Sequence, residues 1–188
     1  MPEINESKLK EQIQRGQMGN LYFLYGEEKM LIRRDLLRMT KKLDDTDFPE
    51  FNFNSFPHNA AVDDIADAAE ALPFMANHKC VTVSDLNVEA LSAAEQNKLM
   101  ELVENVPEST VLIFALPTLE IDPKKSAKWR NFIKKIDAAG FSISYARRSE
   151  SDLVKYLCRE AEKAGCTLSR TLADKIIRYA GTDLNTLA

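Results

Sequence analysis

Cysteine and histidine are scarce in this chain, which has three cysteines and two histidines among 188 residues. Cys80, Cys158 and Cys166 are far apart, and none belongs to a Cys-x-x-Cys pair. The sequence therefore favours neither a disulfide framework nor a metal site. Cys80 lies within a β-strand pattern, so we interpret it as a small buried hydrophobic residue. We expect no cofactor.

Long apolar runs and an excess of positive charge are also missing. No run approaches the roughly 20 apolar residues that cross a bilayer, and the polar stretch 1–10 lacks the apolar core of a signal peptide. The composition, with 45% hydrophobic and 29% charged residues, is typical of a soluble globular protein. A formal net charge of −4 argues against a surface devoted wholly to nucleic acid, although it allows a local basic face. We predict a cytoplasmic protein without a membrane partner.

The chain also lacks a phosphate-binding loop at the place where one would be expected. In residues 21–34 a short apolar run ends at Gly26 and an amphipathic helix pattern follows, which is typical of a buried parallel strand and its crossover helix. Nucleotide-binding α/β proteins hold phosphate at this turn. Here Glu27, Glu28 and Lys29 follow the glycine, no Gly-Lys-Ser/Thr is present, and two carboxylates would repel a triphosphate. We interpret these four residues as a degenerate phosphate-loop position.

Strand and helix patterns alternate along the chain as far as residue 145. We predict a first helix at 4–17, strands at 21–25, 51–56, 79–85, 110–116 and 141–145, and helices between them at 28–43, 59–71, 92–106 and around Trp129. Asp44–Asp47 is expected to break the second helix. The alternation in 51–56 indicates an edge strand, and the apolar run 110–116 indicates a covered strand. We place strand 21–25 at the centre of the sheet.

These elements predict an α/β fold, with a doubly wound, mostly parallel five-stranded sheet that has helices on both faces. From about Arg147 onwards only helix patterns occur, at 151–164, at 169–180 and from Asp183. We therefore expect an α/β domain at 1–146 and the start of a small helical domain at 147–188, which the chain does not complete.

Four segments, in the same order along the chain, resemble the delta subunit of the bacterial DNA polymerase III clamp loader. They are Tyr22–Glu28 with Leu31–Arg33, Leu72–Met75, Ile121–Lys125 and Ala180–Leu184. The resemblance implies an AAA+-like fold of the P-loop type without ATPase activity. It also implies that residues 147–188 begin the helical lid domain, and that a C-terminal collar domain, absent from this chain, would follow.

The resemblance further implies a function in DNA replication. A delta subunit binds the sliding clamp (the beta subunit) and helps to open the ring, whereas sister subunits bind ATP. Its expected partners are the clamp, the other loader subunits through the collar domain, and primer–template DNA within the assembled complex. We expect no catalytic residues and no intrinsic activity, although the subunit is part of a DNA-directed DNA polymerase, a nucleotidyltransferase holoenzyme.

Leu72, Pro73, Phe74 and Met75 are the candidate clamp-binding residues. Pro73 stops or kinks the helix pattern that precedes it, so three apolar side chains would be displayed at the helix–loop junction. Such a group suits insertion into an apolar pocket of a partner, and in the resembled family the clamp-binding plug lies here. The alternative is that these side chains fold back into the core. The deeper pair could be Leu72 with Phe74, or Phe74 with Met75.

Basic residues follow the fourth predicted strand, with Lys124, Lys125, Lys128 and Arg130 at the front of the cluster. They are candidates for contact with DNA or with an acidic neighbouring subunit, but a solvated helix face explains a charge run more simply. An alternative function for the whole chain is a nucleotide-dependent α/β enzyme with an unorthodox phosphate-binding turn. No catalytic constellation in the sequence supports that alternative.

Overall fold

The computed structural model describes residues 4–43 and 48–187, so the predicted helix break at Asp44–Asp47 lies outside the described residues. The chain divides into two compact units, Met1–Tyr145 and Ala146–Ala188. In chain order, the elements of the first unit are α1 (Glu6–Arg15), β1 (Leu21–Gly26), α2 (Lys29–Leu43), α3 (Pro49–Asn52), β2 (Phe53–Phe56), α4 (Val62–Glu70), β3 (Lys79–Ser84), α5 (Ala93–Glu104), β4 (Thr110–Ala115), α6 (Ala127–Ala139) and β5 (Phe141–Tyr145).

The five strands form one parallel sheet in the order β2-β3-β4-β1-β5. The predicted fold class is confirmed, and so is the edge position of β2. The prediction that β1 is the central strand is wrong. β4 is central, with every residue buried, because the chain passes from β1 to the far edge and then returns through β3 and β4.

This order of strands also explains why helices cover both faces. The connection from β1 to β2 runs in one direction along the sheet, and the later connections run in the other. Right-handed crossovers then place α2 on one face and α4, α5 and α6 on the opposite face. The main core lies between the sheet and α4–α6, where the ring of Phe23 is 5.2 Å from Phe132 and 6.1 Å from Trp129, measured between centroids.

Most predicted boundaries shift by one to three residues, and two of the shifts lie near the candidate clamp-binding residues. The predicted strand 51–56 begins only at Phe53, because Pro49 starts a single helical turn that ends at Asn52. Helix α4 ends at Glu70, three residues before Pro73, and Ala71 is already extended with ψ 135°. Leu72 precedes Pro73 and so avoids helical geometry, which keeps the helix from continuing to the proline, and the segment 71–78 is an irregular loop.

The second unit contains α7 (Glu150–Lys163), α8 (Arg170–Ala180) and α9 (Leu184–Leu187). Ser149 and Ser169 cap the first two helices by accepting hydrogen bonds from backbone N–H groups of the first turn. The buried residues of this unit are Leu153, Leu157, Ala173, Ile177 and Leu184. Within residues 4–43 and 48–187, no helix has the length and apolar character that a membrane crossing needs.

A buried carboxylate connects α2 to the end of β5 in the first unit. Asp35 is 4% exposed and accepts hydrogen bonds from Nε of Arg34 at 2.8 Å, from Arg38 at 3.1 Å and from the hydroxyl of Tyr145 at 3.1 Å. These donors compensate the cost of burying the charge. Burial, followed by the negative charge of Asp35, raises the pKa of Tyr145 well above its usual value.

This shift predicts a loss of stability in alkali. Unfolded tyrosine ionises near pH 10.0, whereas folded Tyr145 keeps its proton, so the free energy of unfolding falls as the pH rises above 10, by up to about 1.4 kcal/mol per pH unit. Tyr145→Phe removes this contribution, and the variant should show a shallower decline in urea unfolding between pH 9 and 11. Equal slopes in the two proteins would contradict the assignment.

Candidate functional site

The degenerate phosphate-loop position lies at the carboxyl edge of the sheet, directly after β1. The backbone N–H groups of Glu27 and Glu28 donate to the carbonyl oxygen of Tyr145, at 2.8 and 3.1 Å. Gly26 has φ 134°, and a Cβ atom there would overlap the backbone of Tyr145. The turn is therefore closed by a protein carbonyl, and these two N–H groups, which a phosphate would need, are already used.

Lys29, in this turn, and Asp85, directly after β3, both form hydrogen bonds with the loop that follows β4. The ammonium group of Lys29 donates to the carbonyl oxygens of Leu116, at 3.1 Å, and of Leu119. Asp85 accepts from the backbone N–H and the hydroxyl of Thr118, at 2.9 and 2.7 Å, and from the N–H of Leu119 at 2.7 Å. Burial lowers the pKa of Lys29, and the nearby carboxylates oppose this effect.

β1 and β4 are neighbours whose following connections run in opposite directions, which is where open α/β sheets usually bind ligands. In this chain Lys29, Asp85 and the loop 116–119 fill that crevice with internal hydrogen bonds. The sequence already showed that the turn lacks the further glycines and the Ser or Thr of a phosphate-binding loop. It gave no sign that the remaining lysine and aspartate have partners within the chain.

The candidate clamp-binding residues lie at the opposite, amino edge of the sheet, in the loop that leads into β3. Leu72 is 84% exposed, Met75 is 77% exposed and Phe74 is 47% exposed, whereas Pro73 is half-buried. The alternative that the three apolar side chains belong to the core is therefore wrong. We call residues 72–75 the apolar tip. Leu72 and Met75 are its most exposed members, and Phe74 is partly covered by neighbouring rings.

Phe74 is fixed by a residue that sequence reasoning missed. Its backbone N–H donates to Oδ1 of Asn52 at 2.7 Å, and its carbonyl accepts from Nδ2 of Asn52 at 2.8 Å. The Phe74 ring packs against Phe48 and Phe51, with centroids 5.4 and 5.1 Å apart. Asn52 directly precedes β2 and the tip precedes β3. Because Phe53 pairs with Cys80 in parallel register, the two segments are adjacent.

The basic residues near α6 have partners that shape their own region. Lys128 donates to a backbone carbonyl in the loop after β3 at 3.0 Å, Arg130 donates to the carbonyl of Lys124 at 2.8 Å, and Lys125 lies 3.2 Å from Asp122. These contacts give Lys128 and Arg130 a structural use that the charge pattern did not reveal.

Comparisons with solved structures find a similar fold in other proteins, among them the following three. The Bacillus subtilis DNA clamp loader delta protein matches with a TM-score of 0.74 and 17% identity, over 96% of this chain and 54% of that one. A DNA polymerase III gamma subunit-related protein of Thermotoga maritima matches at 0.52 and 17% identity, over 89% and 57% of the two chains. A Thermotoga maritima RuvB protein matches at 0.51 and 13% identity, over 95% and 56%.

The chain thus spans about half the length of each of these proteins, and the likeness establishes an AAA+-like fold. A search of curated proteins finds no match. The family model for the DNA polymerase III delta subunit, however, matches residues 22–143. That match covers more than half of the chain, including the degenerate phosphate-loop position and the apolar tip. The chain therefore belongs to the family of DNA polymerase III delta subunits.

Proposed function

We propose that this chain is the clamp-contacting part of a clamp-loader delta subunit. It binds the sliding clamp through the apolar tip, helps to open the ring during DNA replication, and does not hydrolyse ATP itself. The observation that carries the proposal is the display of Leu72, Phe74 and Met75 together at one exposed loop. Apolar side chains grouped in this way are typical of a partner-binding surface.

The energetics are adequate for a specific contact. Burying a Leu, Phe or Met side chain in a pocket contributes about 1.5–3 kcal/mol before the costs of association are subtracted. Leu72 and Met75 have most of their surface available for this burial, and Phe74 has nearly half. Such docking shifts the balance between closed and open rings only by the difference in affinity for the two states.

The sheet gives the tip a rigid support. The buried hydroxyl of Thr110, the first residue of β4, donates to the carbonyl of Ala69 at 2.7 Å near the end of α4. After the tip, the N–H of Lys79 donates to the carbonyl of Ser109 at 2.8 Å. Both ends of the loop are therefore attached to the central strands. A force on the tip would be transmitted to the whole α/β unit, as opening a ring requires.

The lack of ATP hydrolysis is proposed from the carboxyl edge. The N–H groups of Glu27 and Glu28 and the side chains of Lys29 and Asp85 all have partners within the chain. An enzyme that binds nucleotide at this turn would have to break these bonds first.

We further propose that unit Ala146–Ala188 begins the lid domain, and that other loader subunits bind through a collar domain. For primer–template DNA, we propose the exposed Lys124 and Lys125 as the contact.

The first experiment removes apolar side chains from the tip. Leu72→Ala and Phe74→Ala should each weaken binding to a purified bacterial sliding clamp by about 10-fold or more, since about 1.5–3 kcal/mol of burial is lost. Leu72→Ala should change the free energy of unfolding by less than about 0.5 kcal/mol, because the side chain is exposed. Surface plasmon resonance and thermal unfolding measure the two quantities.

Leu37→Ala is the matched control for this experiment, because Leu37 is also exposed (55%) but lies on α2. It should leave clamp affinity unchanged. Wild-type affinity in both tip variants would sink the proposal, whatever their stability.

A second experiment addresses nucleotide. Calorimetric titration of the wild-type chain with Mg-ATP should give no binding isotherm. Lys29→Ala should lower the free energy of unfolding by roughly 1–3 kcal/mol, because the carbonyls of Leu116 and Leu119 lose their donor. Saturable, magnesium-dependent ATP binding that disappears in Lys29→Ala would favour the nucleotide-dependent enzyme. A clamp-loader ATPase subunit serves as the positive control for the titration.

A further inference from the structure

We infer that Asn52 is the positioning residue of the apolar tip: its buried carboxamide holds Phe74 in the conformation in which the sliding clamp receives it. This inference rests on the proposed function and goes beyond it, because Asn52 lies 20 residues before the tip and is not one of the residues proposed to touch the clamp. Asn52 is only 3% exposed, so it is not itself available to a partner.

The chemistry of the amide explains why asparagine serves here. Phe74 presents one backbone donor and one backbone acceptor, and the Asn52 side chain forms a hydrogen bond with each of them, at 2.7 and 2.8 Å. Among short side chains, only an amide carries an acceptor and an NH₂ donor side by side. The second hydrogen of Nδ2 is directed to the carbonyl of Phe48 at 3.1 Å. One buried group therefore fixes the tip and one of the rings that supports it.

The backbone next to this anchor is strained. Met75 has φ 50°, in the left-handed region that residues other than glycine rarely adopt. Its side chain is 77% exposed, so burial of Met75 does not compensate the strain. The hydrogen bonds of Asn52 fix Phe74, the residue directly before Met75. We therefore attribute the persistence of this conformation to Asn52, as expected when surroundings determine a strained segment.

A tip held in this way is already ordered before it docks. If the anchor is lost, the loop populates several conformations, and the apparent affinity falls in proportion to the fraction that remains competent. The tip then has to be ordered during binding, which costs part of the interaction free energy. Asn52 should therefore affect clamp binding through Phe74 and not through a contact of its own.

A double-mutant cycle on the clamp dissociation constant tests this dependence. Asn52→Ala should weaken clamp binding by about 5- to 30-fold (~1–2 kcal/mol). The double variant Asn52→Ala/Phe74→Ala should lose less affinity than the product of the two single losses, because Phe74 is the side chain that the anchor positions, while the bonds of Asn52 to the backbone of residue 74 still orient Leu72 and Met75. Fully multiplying losses would show that Asn52 does not act through the Phe74 side chain and would overturn the inference.

Asn20→Ala is the matched control for loss of stability. Asn20 also donates from its side chain to a distant backbone carbonyl, that of Pro107 at 2.8 Å, in the first unit. Both single variants should lose stability, Asn52→Ala more because three hydrogen bonds are lost and not one, but Asn20→Ala should keep the wild-type clamp affinity. A comparable loss of affinity in both would show that the effect of Asn52→Ala is not specific to the tip.

Hydrogen exchange followed by mass spectrometry gives a readout that does not need the clamp. Asn52→Ala should raise exchange in residues 71–78, where the Phe74 N–H loses its acceptor, while the strands stay protected. Unchanged exchange there would overturn the positioning role directly.

If the wild-type chain does not bind the clamp, the proposed function fails and the docking role fails with it. If only Leu72→Ala and Phe74→Ala lose binding, the function stands and the inference about Asn52 fails.

Discussion

The carbonyl oxygen of Tyr145 closes the carboxyl edge of this protein. It accepts the N–H groups of both Glu27 and Glu28, and it is the reason why residue 26 must be a glycine. The hydroxyl of the same tyrosine binds Asp35 inside α2. One residue at the end of β5 therefore fixes the turn after β1, the start of α2 and the buried charge cluster. A phosphate bound there would have to displace this carbonyl.

The closed edge is separate from the apolar tip because the two lie at opposite ends of a parallel sheet. All five strands point the same way, so the turn after β1 and the loop before β3 lie at opposite edges. Closing one edge leaves the geometry of the other unchanged. The apolar tip depends on the amino ends of β2, β3 and β4 instead, through Asn52, Lys79 and Thr110. The two edges of the sheet are thus held by different sets of contacts.

Sequence reasoning succeeded where local patterns carry the information. Continuous apolar runs located β1 and β4, and Pro73 indicated that the helix would end before the tip. It failed where the outcome depends on distant partners. The polar–apolar alternation in 51–56 indicated a strand, but alternation does not say where pairing begins, and Pro49 delayed it to Phe53. Strand order likewise depends on where each crossover returns the chain to the sheet, which local patterns do not encode. The central position was therefore wrongly assigned to β1, whereas β4 occupies it.

Asn52 shows the limit most clearly, because its role consists of hydrogen bonds to a residue 22 positions away. In the sequence it is one polar residue between two phenylalanines, and nothing local indicates that it is buried. What a single sequence does provide is chemical suitability, since an amide can satisfy a backbone donor and acceptor together. It is the parallel register of β2 and β3 that places Asn52 next to Phe74.

Lys29 and Asp85 would suggest a nucleotide site if only their residue types were considered. An ammonium group can only donate hydrogen bonds and a carboxylate can only accept them. The loop after β4 needs both, because it offers the carbonyls of Leu116 and Leu119 on one side and N–H groups on the other. A lysine and an aspartate are thus the pair that satisfies this loop. Their presence therefore has an explanation within the chain.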